Sequence, residues 1–224
     1  MTEIWRQLLY PLGLLSAIAF SSRFIIQWIS SEKVKKSVVS PLFWKISLFG
    51  NVSLLIHAFI QLQFHICFVQ VCNAVISWRN IDLMSPPEGR WKLSSVVYLL
   101  AASLIMITLA FALQMHYSID SGNSWLRTPS NFLSTYGQGK TSFLWHGVGV
   151  CGLLLFNSRF WVQWWEAERK GESFLGPAFW WMSLAGAFFC AAYFLKISDW
   201  VNLMGPLFGI VPTVRNLMII RTAT

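Results

Sequence analysis

Residues 22–80 of this chain recur as residues 158–216, and any fold must accommodate the repetition. The first copy carries Ser22-Arg23-Phe24, Gln27-Trp28, Glu32, Ser37, Pro41, Phe43-Trp44, Ser47-Leu48 and Gly50. The second carries Ser158-Arg159-Phe160, Gln163-Trp164, Glu168, Ser173, Pro177, Phe179-Trp180, Ser183-Leu184 and Gly186. Each pair is 136 residues apart without a gap, and the same offset takes Arg79-Asn80 onto Arg215-Asn216. A register held over 59 positions, with Trp and Arg among the matches, is a duplication. A duplicated chain is expected to fold as two similar units.

Composition says in which solvent those units fold. Of the 224 residues, 55% are hydrophobic and only 12% are charged, about half the charge of a typical soluble domain. The apolar residues come in runs of roughly 20, the length a bilayer core demands. An all-α integral membrane protein is expected. The net charge of +8 does not point to nucleic acid, because the basic residues sit beside the ends of apolar runs, where inner-leaflet anchors belong. Cys67, Cys72, Cys151 and Cys190 lie inside apolar segments without a CxxC pairing. They read as packed thiols, and neither a disulfide framework nor a metal site is expected. No cofactor is expected either. The N-terminus lacks a basic region and a cleavage site of small residues, so the first apolar run is expected to be a retained span.

Seven spans follow from the chain in order: about 8–28, 41–63, 65–81, 94–116, 142–165, 177–196 and 200–220. Ser30–Ser40 reads as a short basic loop, and 166–172 as a charged one. Pro41 and Pro177 each open a span, at the one helical position where a missing N–H is harmless. Residues 117–140 read as an external loop, with a short amphipathic piece around Trp125 and Phe132. The domains are then 1–84, a first three-helix repeat; 85–141, a linker helix and loop; and 142–224, a second repeat. Three spans invert the chain, and one added span restores its direction, so the two repeats come out parallel. Placing the N-terminus outside puts ten Lys and Arg on the inner side and four on the outer. That favours N-out, C-in.

With Arg23-Phe24, Gln27-Trp28, Glu32, Ser37, Pro41, Phe43-Trp44, Ser47-Leu48, Gly50 and Arg79-Asn80 all repeated, the sequence resembles the lipid A biosynthesis N-terminal domain family. The resemblance covers nearly the whole chain outside residues 85–142. It implies a small membrane domain, distantly similar to SWEET and PQ-loop proteins. Such a domain occurs alone, beside glycosyltransferases, or fused ahead of lipid-A-disaccharide synthase. Members often carry Gly-Gln-x-x-Gly in the third span. The first copy has Val69-Gln70-Val71-Cys72-Asn73 and the second Gly205-Pro206-Leu207-Phe208-Gly209, so each keeps what the other lacks. The Pro-Gln dipeptide of PQ-loop proteins is absent, since Leu42 follows Pro41 and Ala178 follows Pro177. The resemblance does not make this chain a glycosyltransferase, whose catalytic domain is a soluble α/β fold with no room within these residues.

The candidate substrate-binding residues are Arg23, Arg159, Trp44, Trp180, Gln70, Asn73, His57 and Tyr193. Arg23 and Arg159 lie about five residues inside their spans. They either snorkel to the headgroups or offer a planar, bidentate fork to a phosphorylated or carboxylated headgroup. Trp44 and Trp180 either stack on a sugar ring or pack. His57 and Tyr193 share a register position in the outer half of their spans. Asn73, one turn beyond Gln70, falls mid-span, where the resemblance to SWEET proteins implies a sugar site. Gly50, Gly186, Pro41, Pro177, Gln27, Gln163, Arg79, Asn80, Arg215 and Asn216 read as structural: close contacts, helix starts, interhelical hydrogen bonds and interfacial anchors. No acid pair, nucleophile–base set or phosphate loop stands out.

Two functions fit. One is a module that binds or translocates a glycolipid, a lipid-linked sugar or a related envelope precursor, with membrane lipid as its partner. The other is a non-catalytic anchor that holds a glycosyltransferase partner, such as lipid-A-disaccharide synthase, at the inner leaflet of a bacterial inner membrane.

Overall fold

The computed structural model describes residues 8–9, 11–117, 143–197 and 200–222. Seven α-helices account for nearly all of them: α1 Pro11–Val34, α2 Pro41–Ile60, α3 Phe64–Leu83, α4 Leu93–Tyr117, α5 Phe143–Lys170, α6 Pro177–Lys196 and α7 Trp200–Thr222. One 3-10 turn, Pro87–Gly89, precedes α4. Each expected span holds one helix, and α6 agrees to the residue. Pro41 and Pro177 are the first residues of α2 and α6, as their chemistry requires. The expected amphipathic piece at Trp125 and Phe132 lies outside the described residues.

Two loops are shorter than the sequence suggests. α1 continues to Val34 and α5 to Lys170, so Glu32, Lys33, Glu166, Glu168 and Arg169 are helical. The extra turns are held by equivalent bonds four residues apart. Trp28 Nε1 donates to Glu32 Oε1 at 3.2 Å, and Trp164 Nε1 to Glu168 Oε1 at 2.8 Å. Lys and Glu are also good helix formers, which a reading by hydropathy alone misses. Both helices then stop through a left-handed residue at equivalent positions, Lys35 with φ of 53° and Gly171 with φ of 68°. Glycine takes that conformation without a Cβ clash; lysine takes it at a cost of roughly 1–2 kcal/mol.

Four of the helices, Pro11–Val34, Pro41–Ile60, Leu93–His116 and Pro177–Lys196, are long and apolar enough to cross a membrane. The distribution of polarity is inverted relative to a water-soluble bundle. The buried face of α1 is Ser16, Ala19, Arg23, Gln27 and Ser31, spaced every three or four residues, while Leu14, Leu15, Ile18, Ile25 and Ile29 are exposed. Helical spacing places the first set on one face. Polar groups turned inward and large apolar ones outward are what hydrocarbon selects, since an unpaired polar group there costs several kcal/mol.

The helices form two compact units. The first comprises Met1–Arg23 and Pro41–Ser130; the second comprises Phe24–Ser40 and Asn131–Thr224. The last turns of α1 and the loop after it therefore group with the second sequence copy. In the first unit α2 packs on α3, and α3 on α4. In the second unit α5 packs on α6, and α6 on α7.

Gly50 and Gly186 both lie against the ring of the equivalent phenylalanine, Phe20 or Phe156, but their remaining neighbours differ. A Cβ on Gly50 would lie 2.7 Å from Cε1 of the Phe20 ring and 3.2 Å from Ala19 Cβ. A Cβ on Gly186 would lie 2.8 Å from the Phe156 ring, and 3.1 Å and 3.2 Å from the backbone at Phe156 and Gly152. A ring can rotate away, whereas helix backbone moves only with the helix. Gly186→Ala is therefore expected to lower the melting temperature in detergent more than Gly50→Ala. Leu at either position should cost about 1–3 kcal/mol through overpacking. Equal melting of all four variants and the parent would remove the close-contact role.

Candidate functional site

The duplicated arginines turn into their own bundles. Arg23, 5% exposed, donates from Nη1 to Ser47 Oγ at 2.8 Å. Its guanidinium carbon lies 4.7 Å from the Phe20 ring centroid and 5.4 Å from that of Phe43. Arg159, 3% exposed, repeats the bond to Ser183 Oγ at 3.0 Å. Its guanidinium carbon lies 3.9 Å from the centroid of Phe156, 4.9 Å from Phe160, 5.3 Å from Phe179 and 5.4 Å from Phe24. Each serine passes its own proton to a carbonyl one turn back, Phe43 O or Phe179 O, both at 2.6 Å. Ring faces supply the negative potential that water would otherwise supply. These contacts fix a cation inside each unit, with Nη1 committed to a serine rather than held out to a headgroup.

The other repeated polar residues fasten the second unit together. Gln27 and Asn216 exchange amide hydrogen bonds: Gln27 Nε2 donates to Asn216 Oδ1 at 2.9 Å, and Asn216 Nδ2 to Gln27 Oε1 at 3.0 Å. Arg215 grips Glu32 with two nitrogens, Nε on Oε1 and Nη2 on Oε2, the latter at 3.2 Å. A planar fork on a carboxylate is among the stronger and more directional polar contacts. Trp180 Nε1 donates to Ser37 Oγ at 3.1 Å, and Ser37 Oγ donates to Leu175 O at 3.4 Å. Gln163 Nε2 donates to Phe174 O at 3.1 Å. Trp44 and Trp180 are fully buried and meet Phe43 and Phe179 edge to face, with centroids 4.9 Å and 5.1 Å apart. A sugar ring would reach either indole only after the bundle opened. In the first unit, Arg79 pairs with Asp82 and donates to Trp91 O at 2.8 Å, fixing the turn that launches α4. Asn80 Nδ2 bonds Ile76 O at 2.9 Å.

A different kind of polar group lies midway along α2 and α3 of the first unit. Gln70 is 8% exposed, and its Oε1 is shielded from solvent with no hydrogen bond. The half-buried Asn73 amide and the buried Ser53 hydroxyl make none among the described residues. Two cross-links bracket this region: Asn51 Nδ2 to Ser77 Oγ at 3.1 Å, and Cys67 Sγ to Leu55 O at 3.9 Å. Ser53 falls between the α2 ends of these links, and Gln70 and Asn73 between the α3 ends. Ser53, Gln70 and Asn73, three uncharged side chains with donors and acceptors to spare, thus lie between the two links. Ser53 escaped the sequence reading; its signal is the contrast with Phe189 at the same register position. The counterparts of Gln70 and Asn73 are Pro206 and Gly209, so the cluster belongs to one copy.

His57 and Tyr193 occupy equivalent seats rather than a shared one. Each ring lies over a glycine of the preceding repeat helix. A Cβ on Gly13 would meet His57 at 3.1 Å, and one on Gly149 would meet Tyr193 at 2.8 Å. Among the described residues no three His, Cys, Asp or Glu cluster as a metal site would require.

Comparison with known proteins places these features in a family. The family described as Lipid A Biosynthesis N-terminal domain matches residues 12–82 and again 148–218, the same offset as the duplication. The lipid-A-disaccharide synthase of Chlamydia felis (strain Fe/C-56) is 35% identical over 212 residues, 95% of this chain and 33% of that protein. That of Chlamydia trachomatis serovar D (strain ATCC VR-885 / DSM 19411 / UW-3/Cx) is 34% identical over 211 residues, 94% of this chain and 34% of that protein. That of Chlamydia pneumoniae is 31% identical over 210 residues, 94% of this chain and 33% of that protein. The chain thus spans about a third of the length of these relatives. No solved structure matches.

The Gln27–Asn216 amide pair lends itself to a double-mutant cycle. Gln27→Ala and Asn216→Ala each leave a buried amide facing an empty site and should each cost about 1–3 kcal/mol of stability. The double variant should cost less than the sum, by at least about 0.5 kcal/mol. Strict additivity in a denaturant titration of the detergent-solubilised protein would mean the two amides do not depend on each other.

Proposed function

Because the chain belongs to the lipid A biosynthesis N-terminal domain family, we propose that it is a membrane module of envelope glycolipid biosynthesis that binds or translocates a glycolipid, a lipid-linked sugar or a related precursor. The Gln70 carbonyl carries this reading. A buried acceptor without a partner costs about 1–3 kcal/mol, and such groups persist where a ligand or water completes them. Asn73 and Ser53, between the same two links, add donors and acceptors suited to hydroxyl groups. Helices fit for a membrane suit a ligand with acyl chains.

All seven helices cross the bilayer in this reading, with the N-terminus outside and the C-terminus in the cytoplasm of a bacterial inner membrane. Reporter fusions after Pro86 and after Thr224 should then both report cytoplasm, and one at Gly122 the outside. A cytoplasmic signal at Gly122 would remove a span.

The lipid-A-disaccharide synthase relatives are about three times the length of this chain, so their named activity is not carried over. Their extra length favours a second reading, in which the module anchors a cytoplasmic glycosyltransferase near its lipid substrate. The concentration of the repeated motif on fastenings such as Arg215–Glu32 also suits an anchor.

Gln70→Met separates the two. Replacing an unsatisfied amide by an apolar chain of similar size should hold or raise the melting temperature, while lipid binding falls about threefold to tenfold if the amide meets a ligand. Asn73→Ala should lower binding similarly with little change in melting. Native mass spectrometry of co-purified lipid on the parent and both variants is the measurement. Unchanged lipid occupancy in both would leave the anchor as the function.

A further inference from the structure

At the C-terminal end of α6, opposite the end where Trp180 and Leu175 hold Ser37, α5 and α6 bring four side chains together. His146 Nδ1 and Tyr193 Oη are 3.0 Å apart, and their rings are tilted at 60° with centroids 5.8 Å apart. Trp145 precedes His146, and its ring centroid lies 5.8 Å from Lys196 Nζ. Tyr193 and Lys196 are one turn apart on α6 and so share a face. His146 and Lys196 are exposed, and Lys196 forms no ion pair among the described residues.

The duplication indicates that the His–Tyr pair is held as a unit. The chain has only four His and five Tyr. The 136-residue offset takes His146 onto Tyr10 and Tyr193 onto His57. The two copies carry the same two residue types with their positions exchanged. In the second copy the two residue types meet in a hydrogen bond, and exchanging them leaves that pairing chemically possible. Tyr10 itself lies outside the described residues. Lys196 and Trp145 are not repeated; their counterparts are Ile60 and Leu9. The second copy has therefore gained a cation and an indole beside the pair. Ile60 ends α2 where Lys196 ends α6, so a lysine is not needed to complete the helix.

We propose that His146, Tyr193, Lys196 and Trp145 form a binding site for a phosphate group, such as a phosphorylated lipid headgroup. A neutral imidazole and a phenol hold two hydrogens between them, and their mutual bond uses one. Where Tyr193 Oη donates to His146 Nδ1, His146 Nε2 carries the imidazole hydrogen and is left as a donor. The Lys196 ammonium supplies further donors and the charge, and charge-assisted bonds to phosphate oxygens are among the strongest available. Trp145 steadies the ammonium through its ring face and suits headgroup depth. This site is separate from the uncharged cluster of the first unit and does not depend on the function proposed for it.

The test uses the full chain in detergent, with binding followed by native mass spectrometry. The probes are dioleoyl phosphatidic acid, dioleoylglycerol and inorganic phosphate. Lys196→Ile, which installs the residue of the first copy, should weaken phosphatidic acid binding about tenfold, and Tyr193→Phe about threefold, with melting unchanged. Lys170→Gln, at the other end of α5, should leave binding intact. Tyr193→His should weaken binding, and adding His146→Tyr should restore it by rebuilding the pair in the order of the first copy. Displacement by inorganic phosphate would keep the site and assign it a soluble phosphate. Equal binding of dioleoylglycerol, an unchanged Lys196→Ile variant, or an equal loss in Lys170→Gln would each overturn the proposal. If Lys196→Ile fails to fold, Lys196→Gln and the paired exchange decide between the same outcomes.

Discussion

The structure of the second unit depends on one constraint: polar groups removed from water must find each other. Gln27 and Asn216 meet it by facing amide to amide, each donating to and accepting from the other, while Gln27 Nε2 also reaches Ser31 Oγ and Val38 O and Asn216 Nδ2 reaches Pro212 O. Neither side chain could be matched by a single hydroxyl, and neither is stable alone at full burial. Around that pair the rest follows. Arg215, next to Asn216, reaches Glu32, one turn beyond Gln27. The loop after α1 then lies where Ser37 can bridge Trp180 and Leu175. This is why residues 24–40, which belong to the first sequence copy, belong to the second compact unit. Individual hydrogen bonds in membrane proteins are modest, about 0.6 kcal/mol on average, but several fastened in series define a single register.

The same constraint explains why a charged residue sits inside each unit. Burying an isolated guanidinium is prohibitive, yet Arg23 and Arg159 keep their charge within rings and beside one serine. The serine matters because its hydroxyl accepts from the arginine and hands its own proton to the carbonyl behind it. Cation, hydroxyl and helix backbone thus form one chain in which each dipole supports the next. Lysine could not reproduce it, since a compact ammonium lacks the flat faces that lie against Phe156 and Phe160.

Much of this was legible in the sequence. The apolar runs indicated the helix count, and the paired prolines the starts of α2 and α6. The glycines at 50 and 186 announced close contacts. Local chemistry was harder to read. The extra turns of α1 and α5 rest on Trp28–Glu32 and Trp164–Glu168 bonds, which charge counting assigns to a loop. The direction in which Arg23 and Arg159 point was open, because burial in rings and extension to headgroups require the same residue. Ser53 was silent, since a serine in an apolar span looks unremarkable until its neighbours prove satisfied and it does not. The grouping of residues 24–40 with the second copy was invisible for a related reason: a repeat reports which residues are alike, not which copy they bind.

What the two copies share and what they do not divides along functional lines. The shared residues, among them Arg23 and Arg159, Ser47 and Ser183, Phe43 and Phe179, are buried and mutually engaged. Several of the residues that differ have hydrogen-bonding capacity to spare. Ser53, Gln70 and Asn73 match Phe189, Pro206 and Gly209 in the register, while Lys196 and Trp145 match Ile60 and Leu9. Duplication explains the first set, because both copies solve the same burial problem and any change carries a cost in stability. It does not explain the second. Once the scaffold is secured by the repeated fastenings, positions outside them are free to diverge. They have diverged in opposite directions: uncharged hydrogen-bonding groups in the middle of one unit, a cation and an indole at the end of the other.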